Sequence, residues 1–186
     1  MRQKGRPVIA KEPFTAKTIT TDGGRIRKVF QTSDSANVLI YIADKDQILL
    51  VRQQREAMAR VGNPKGWIIE SVAGRFDRKE SVRRLLAREA SEEVGGTIRP
   101  KDIVLLNNGA PLALSAGCLV EKAWLGYIAI TSDQLEKTDR QYGLKEEGES
   151  ITRVFLPVSG LENFTCEDVR VFALLQWFLR KIIGKR

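Results

Sequence analysis

The chain has 186 residues, 42% of them hydrophobic, and sets 31 Lys and Arg against 23 Asp and Glu for a net charge of +8. This suits one globular domain with a real core and polyanionic ligands, nucleotides as well as RNA, although a basic surface also serves solubility. The absence of histidine excludes His-dependent zinc sites, Ser-His-Asp triads and imidazole acid–base catalysis, so a general base must be a carboxylate, Lys, Tyr or Cys.

No run of 18 apolar residues occurs, and the first residues lack an apolar leader with a cleavage site, so a cytoplasmic protein is expected. Two cysteines, Cys118 and Cys166, read as buried thiols rather than a disulfide framework. Residues 1–12 are basic and aperiodic, a loose arm. Extended runs at 14–20 and 25–32 flank Asp22-Gly23-Gly24, which predicts a hairpin. Runs at 36–43 and 47–53 flank Asp44-Lys45-Asp46 and form a second hairpin. Both are apolar on consecutive residues, so strands covered on both faces are expected. A loop at 56–66 holds Gly62-Asn63-Pro64 and Gly66, and a strand at 67–73 delivers the chain to Gly74.

Residues 74–96 read as a tight loop, a helix and a glycine stop. Asp77 is placed to cap the helix, Glu80 to close a capping box, and Gly95-Gly96 to let the chain leave it. At about 100° per residue, Val82, Leu85 and Leu86 define an inward stripe that also carries Glu89 and Glu93, with Glu92 at its margin. Carboxylates withdrawn from water raise each other's pKa unless they share a cation, and oxygen-only ligands favour magnesium or manganese. A surface ion network is the competing reading, since Arg88 reaches Glu92 at i+4.

Further strands are expected at about 103–107, 123–130 and 151–156, with a glycine-containing loop at 108–118 between the first two. A short helix at 132–135 and a polar, acidic loop at 138–150 follow. Within that loop Lys145-Glu146-Glu147-Gly148-Glu149-Ser150 is either a source of a catalytic base or a solvated acidic turn. The last helix starts at Thr165 as N-cap, has Glu167 and Asp168 in its first turn and runs to about 183. Its apolar stripe and basic end suit a core-packed helix better than a membrane-surface one. Many strands, few helices and one central helix give an α/β sandwich on a mixed sheet.

Gly74, Glu80, Arg88-Glu89, Ala90, Glu92-Glu93 and Gly95 stand at the spacing of the Nudix box, which this chain resembles. Gly96 departs from the bulky apolar residue of that pattern, and Ala90 is small for its slot. A narrower resemblance, over about residues 24–181, is to the ADP-ribose pyrophosphatase branch. It rests on residues 27–30, 51–55 and 67–74, on Ser115-Ala116-Gly117 with Glu121, and on residues 147–151 and 173–177.

The resemblance implies a Nudix-type α/β/α sandwich with a mixed sheet, preceded by an N-terminal antiparallel hairpin. It implies metal binding by Glu89, Glu93 and the Ala73 carbonyl with Glu92 assisting, water activation by Glu147, and support of the metal by Glu149. Arg27 and Arg55 would hold a diphosphate by guanidinium recognition, Glu70 and Glu121 would line the pocket, and Arg88 with Glu80 would brace the loop. The implied activity is Mg²⁺-dependent, with Mn²⁺ as a substitute: hydrolysis of a nucleoside diphosphate sugar such as ADP-ribose to a nucleoside monophosphate and a sugar phosphate. The alternatives are a nucleoside triphosphate or capped-RNA pyrophosphatase, and a non-catalytic nucleotide- or RNA-binding module. Ala116 stands where that branch has proline, and Pro111 lies near its spacing, which leaves the sugar open. In the family the N-terminal segment is exchanged between subunits. Residues 1–35 are therefore expected to be an arm and dimerisation hairpin, residues 36–186 the hydrolase domain, and the assembly a homodimer with Arg27 and Glu121 reaching across.

Overall fold

The computed structural model describes residues 15–137, 141–143 and 150–185. Strand β3 (Ser35–Ile42) is the spine, and all eight of its residues are buried. Its neighbours are β4 (Gln47–Gln54), antiparallel, and β9 (Lys122–Ile130), parallel over eight residue pairs, so the sheet is mixed. Strand β10 (Thr152–Pro157) continues the order beyond β4, and β7 (Val104–Leu105) lies beyond β9. The short β8 (Leu112–Ala113) also pairs with β9.

Alternation along β3 and β4 builds two cores. Ala36, Val38, Ile40, Leu49 and Val51 meet Leu85, Leu86, Ala90 and Val94 of helix α1 (Val82–Val94). Leu39, Tyr41, Ile48 and Leu50 meet Val171, Leu174, Leu175 and Phe178 of helix α2 (Val169–Lys181) on the other face. Each such buried Val, Leu, Ile or Phe side chain stabilises by about 1.5–3 kcal/mol. Apolar residues on consecutive positions are thus explained by a helix on each side of the sheet, the expected α/β/α sandwich. Helix α2 is core-packed, and no helix among the described residues is long and apolar enough to cross a membrane.

Several local expectations are corrected. Residues 67–73 form two strands, β5 (Trp67–Glu70) and β6 (Val72–Arg75). Strands β3 and β4 pair only over Ile40–Ile42 and then diverge. The segment enters that gap, where β5 pairs with β4 and β6 with β3, changing partner at the buried Ser71. The strand expected at 103–107 is cut to two residues by a 3-10 turn at Asn107–Gly109, where Asn107 and Asn108 adopt positive φ. Ser81, not Asp77, caps α1: its Oγ accepts from the Arg84 amide at 3.3 Å, and Glu80 is held by Arg88 instead of closing a capping box. Asp168, not Thr165, caps α2, because its carboxylate accepts from the amides of Arg170 (2.6 Å) and Val171 (3.3 Å). Both cysteines are free, but Cys118 is exposed and Cys166 only half-buried, so neither is the core thiol expected.

The N-terminal hairpin forms as its Asp-Gly turn predicts. Strands β1 (Thr15–Thr20) and β2 (Ile26–Gln31) pair in register Thr15 to Gln31, as a two-stranded sheet of their own. Every β1 residue is exposed. The hairpin meets the body through Phe30, whose amide donates to the Cys118 carbonyl (2.7 Å) and whose carbonyl accepts from the Val120 amide (2.9 Å).

Candidate active site

Helix α1 ends at Gly95 in the left-handed region (φ 63°), where glycine is favoured. Gly96 then bridges to Leu135. A Cβ at Gly96 would stand 3.3 Å from the Ala90 carbonyl and 3.6 Å from Leu135, so Leu135 occupies the space that a bulky side chain at 96 would fill. These contacts fix the helix against the sheet with its acidic stripe turned toward β6.

Glu93 is 4% exposed, and its Oε2 accepts from the Ala73 amide at 3.2 Å. Glu89 lies against Gly74 so closely that a Cβ there would be 2.1 Å from Glu89 Oε1. The glycine is required by this close approach, since its φ is ordinary. Gly74→Ala is therefore expected to displace Glu89 and lower kcat by about 10²-fold, the effect of misplacing a reacting group by about 1 Å, with little loss of Tm. Unchanged turnover in a folded Gly74→Ala protein would exclude a role for the Glu89 position.

Arg88 ties this face together. Its Nη1 pairs with Glu89 Oε1 (2.8 Å) and Glu92 Oε2 (2.9 Å), and its Nη2 with Glu80 Oε1 (3.1 Å). Burial works against the Arg88 charge, but Glu89, Glu80 and Glu92 outweigh it and raise the guanidinium's pKa. The ion pair between Arg88 and Glu80 joins the helix to the turn just before it.

A cleft of ≈ 830 Å³ runs beside these residues, within the size range of small-molecule sites. Ala73, Glu89, Glu92, Glu93 and Arg88 line it, together with Arg55, Glu70 and Glu121, so eight sequence-predicted residues share one cavity. Arg27 is not among them. It is exposed on the stand-off hairpin, where its Nη1 donates to the Ile26 carbonyl at 3.3 Å. Glu147 and Glu149 lie outside the described residues.

The donor set is all oxygen: three carboxylates on two successive turns of one helix beside the backbone of β6. That chemistry fits a hard divalent cation such as Mg²⁺ or Mn²⁺. Among the described residues, no group of three Asp, Glu, His or Cys side chains is gathered closely enough to hold an ion by itself. Backbone carbonyls, water or substrate oxygens would have to complete the coordination.

In and beside the cleft, Ser35, Gln53 and Arg170 make contacts that sequence reading missed. Ser35 Oγ donates to Glu121 Oε1 at 2.6 Å, which fixes the nearly buried Glu121 in the cleft of its own chain. Gln53 Nε2 and Arg55 Nε donate to Glu70 Oε2 at 2.7 and 2.9 Å. Arg170 reaches Glu70 Oε1 at 3.2 Å from the first turn of α2. Burial opposes the charge of both Arg170 and Asp168. Their mutual hydrogen bonds and attraction prevail, lowering the Asp168 pKa and raising that of Arg170. No spacing rule marks Arg170, because its partner Glu70 is 100 residues away.

Proteins named GDP-mannose pyrophosphatase from Salmonella paratyphi B and Cronobacter sakazakii are 34% and 33% identical over 96 residues, covering 47% of this chain and 50% of theirs. One of the same name from Yersinia enterocolitica is 35% identical over 71 residues, 38% of this chain and 37% of its own. The chain thus spans half or less of the length of these curated relatives. The NUDIX domain profile matches residues 33–179, which takes in both cores and every described cleft residue, and the chain belongs to the Nudix family.

Proposed function

We propose that the protein hydrolyses the pyrophosphate bond of a nucleoside diphosphate sugar with the help of a divalent cation, Mg²⁺ or Mn²⁺. The observation that carries this reading is the meeting, in one cleft, of the Glu89-Glu92-Glu93 face of α1 with the arginines Arg55 and Arg170. Carboxylates alone would repel a diphosphate, whereas the Arg55 guanidinium matches its oxygens and Arg170 adds positive charge beside it. When bound, the cation supplies neutralisation of phosphate charge and a more acidic water. Glu89 and Glu93, with the Ala73 carbonyl, would hold it with Glu92 assisting, and Arg55 would orient the diphosphate.

Water adds to one phosphorus, the bridging oxygen leaves on the other, and the products are a nucleoside monophosphate and a sugar phosphate. Glu147 is our choice for the group that takes the proton from that water, with Glu149 supporting the cation. Glu147→Gln should lower kcat by about 10²-fold or more with little change in affinity, the usual result of losing a general base. A larger loss in Glu149→Gln would reverse the two roles.

The relatives make GDP-mannose the first substrate to test, with ADP-ribose beside it. Incubation with Mg²⁺ and chromatography of the products, with GTP and capped RNA in parallel, tests the reading. GMP and mannose 1-phosphate, or AMP and ribose 5-phosphate, support it. Release of inorganic pyrophosphate from GTP alone, cleavage of capped RNA alone, or binding without turnover would overturn it.

We further propose that residues 1–35 form a dimerisation segment and that the hairpin is exchanged between two copies of the chain. Isolated two-stranded hairpins are marginal in water, and this one exposes Ile19, Ile26 and Phe30 by 44%, 67% and 53%. The family match begins at residue 33, just after β2 ends. Exchange would cover these side chains and carry Arg27 toward the partner's cleft. Light scattering should give a dimer, and removal of residues 1–32 a monomeric or insoluble, inactive protein. An active full-length monomer at micromolar concentration would return the hairpin to its own subunit.

A further inference from the structure

The first turn of α2 is fastened to β5 by a chain of charged contacts. Glu70 on β5 is 5% exposed, and both its carboxylate oxygens are engaged: Oε2 by Gln53 (2.7 Å) and Arg55 (2.9 Å), Oε1 by Arg170 (3.2 Å). Arg170 is locked in turn by Asp168. Its Nε lies 3.1 Å from each Asp168 oxygen and its Nη2 2.5 Å from Oδ2, while the same carboxylate caps α2. A second ion pair, Arg60 to Glu167, joins the loop after β4 to the segment just before the helix. By contrast the Arg55 side chain is 44% exposed, and a side chain of that length and freedom is ordered only by what grips it.

We propose that Arg170 is a positioning residue, which by holding Glu70 in one orientation fixes the guanidinium of Arg55 for the diphosphate of the substrate. The chain of contacts runs from the helix cap to the cleft: Asp168 orients Arg170, Arg170 orients Glu70, and Glu70 orients Arg55. Each link is charge-assisted, and its two carboxylates, Glu70 and Asp168, are nearly buried, where such bonds hold geometry best. Arg170 also sets a positive charge among Glu70, Asp168 and Glu121, whose carboxylates would otherwise repel a phosphate. The proposal rests on the assignment of the diphosphate to Arg55 made above.

A double-mutant cycle tests it. Arg55→Ala, Arg170→Ala and the double variant are compared with the parent protein in three measurements: Kd for GDP by calorimetry, KM and kcat for GDP-mannose with Mg²⁺, and Tm. Arg170→Ala should raise the GDP Kd and the KM by about 10-fold while kcat stays within about 3-fold, the pattern of lost uniform binding. In the Arg55→Ala background the same change should add less than about 2-fold, because residues acting through one another are not additive. Arg170→Lys, which keeps the charge without the fork, should recover part of the loss, and it replaces the alanine in the cycle if that variant does not fold.

A lower Tm with unchanged GDP affinity would reduce Arg170 to a structural latch and overturn the proposal. Fully additive losses would do so too, since they would place Arg170 on the ligand itself. If Arg55→Ala alone leaves GDP affinity intact, the diphosphate assignment fails first. That result is distinguishable, because it appears before Arg170 is touched.

Discussion

Glu93→Gln is expected to fold normally and to lose about 10³-fold in kcat, in the range found when a group that stabilises developing charge is removed. The fold should survive because the replacement keeps the shape of a side chain that is 4% exposed and retains an oxygen to accept from the Ala73 amide, now 3.2 Å away. It also removes one charge from a helix face where Glu89 and Glu92 stay negative, so Tm without added metal should be equal to or above that of the parent. The amide is a poor ligand for a hard cation and leaves its charge under-neutralised. Added Mg²⁺ should therefore raise the Tm of the parent protein by preferential binding to the folded state, and raise that of Glu93→Gln much less. Thermal denaturation with and without Mg²⁺, next to turnover, checks both halves. Near-native turnover together with a full Mg²⁺ response would remove Glu93 from the metal site.

What the sequence made legible was whatever depends on neighbours along the chain. The burial of Leu85, Leu86 and Glu93 follows from helical period alone, and the turn at residues 22–24 predicts the hairpin of β1 and β2. Unbroken apolar runs in β3 and β4 require cover on both faces, which α1 and α2 supply. The helix starts that were misplaced were choices between nearby acceptors. Ser81 lies four residues after Asp77, and Asp168 three after Thr165, and which of them caps depends on where the helix meets the sheet. The segment 67–73 reads as one strand because no Gly, Pro, Asn or Asp interrupts it. Only the divergence of β3 from β4 divides it at Ser71.

The acidic face of the cleft could be read from one helix, whereas the Glu70 side could not. Glu70, Gln53, Arg55 and Arg170 come from β5, β4, the residue after β4 and α2, and nothing in their spacing announces that two guanidinium groups will share one carboxylate. Glu121 was placed by resemblance, but its bond to Ser35, 86 residues away, is a product of the parallel pairing of β3 with β9. Arg27 shows the opposite case: its strand agrees with the sequence reading, yet within one chain it stands outside the cleft.

Arg88→Ala should be the most damaging single change to stability on this face. The guanidinium spans Glu80, Glu89 and Glu92 at 2.8 to 3.1 Å and is itself mostly buried, with 21% of its side chain exposed. Glu80 and Glu89 are more withdrawn still, at 10% and 12%. Removing one partner of a buried pair leaves the others uncompensated and costs about 3–5 kcal/mol; partial exposure of Arg88 and Glu92 reduces this to roughly 2–4 kcal/mol. At about 2–4 °C per kcal/mol for a domain of this size, Tm should fall by roughly 5–15 °C. Activity should fall too, because Glu89 and Glu92 lose the group that aims them and Glu80 no longer holds the loop.

Two controls separate this account from simple loss of packing. Arg88→Lys retains the charge but reaches fewer oxygens, so it should recover part of the Tm and little of the turnover. Mg²⁺ should restore more Tm to Arg88→Ala than it adds to the parent, since the cation replaces the charge that was removed. Arg88→Ala with parental Tm and turnover would mean that the four-way contact holds nothing in place. A loss of Tm indifferent to Mg²⁺ would assign Arg88 to packing alone and detach it from the carboxylates that the proposed chemistry needs.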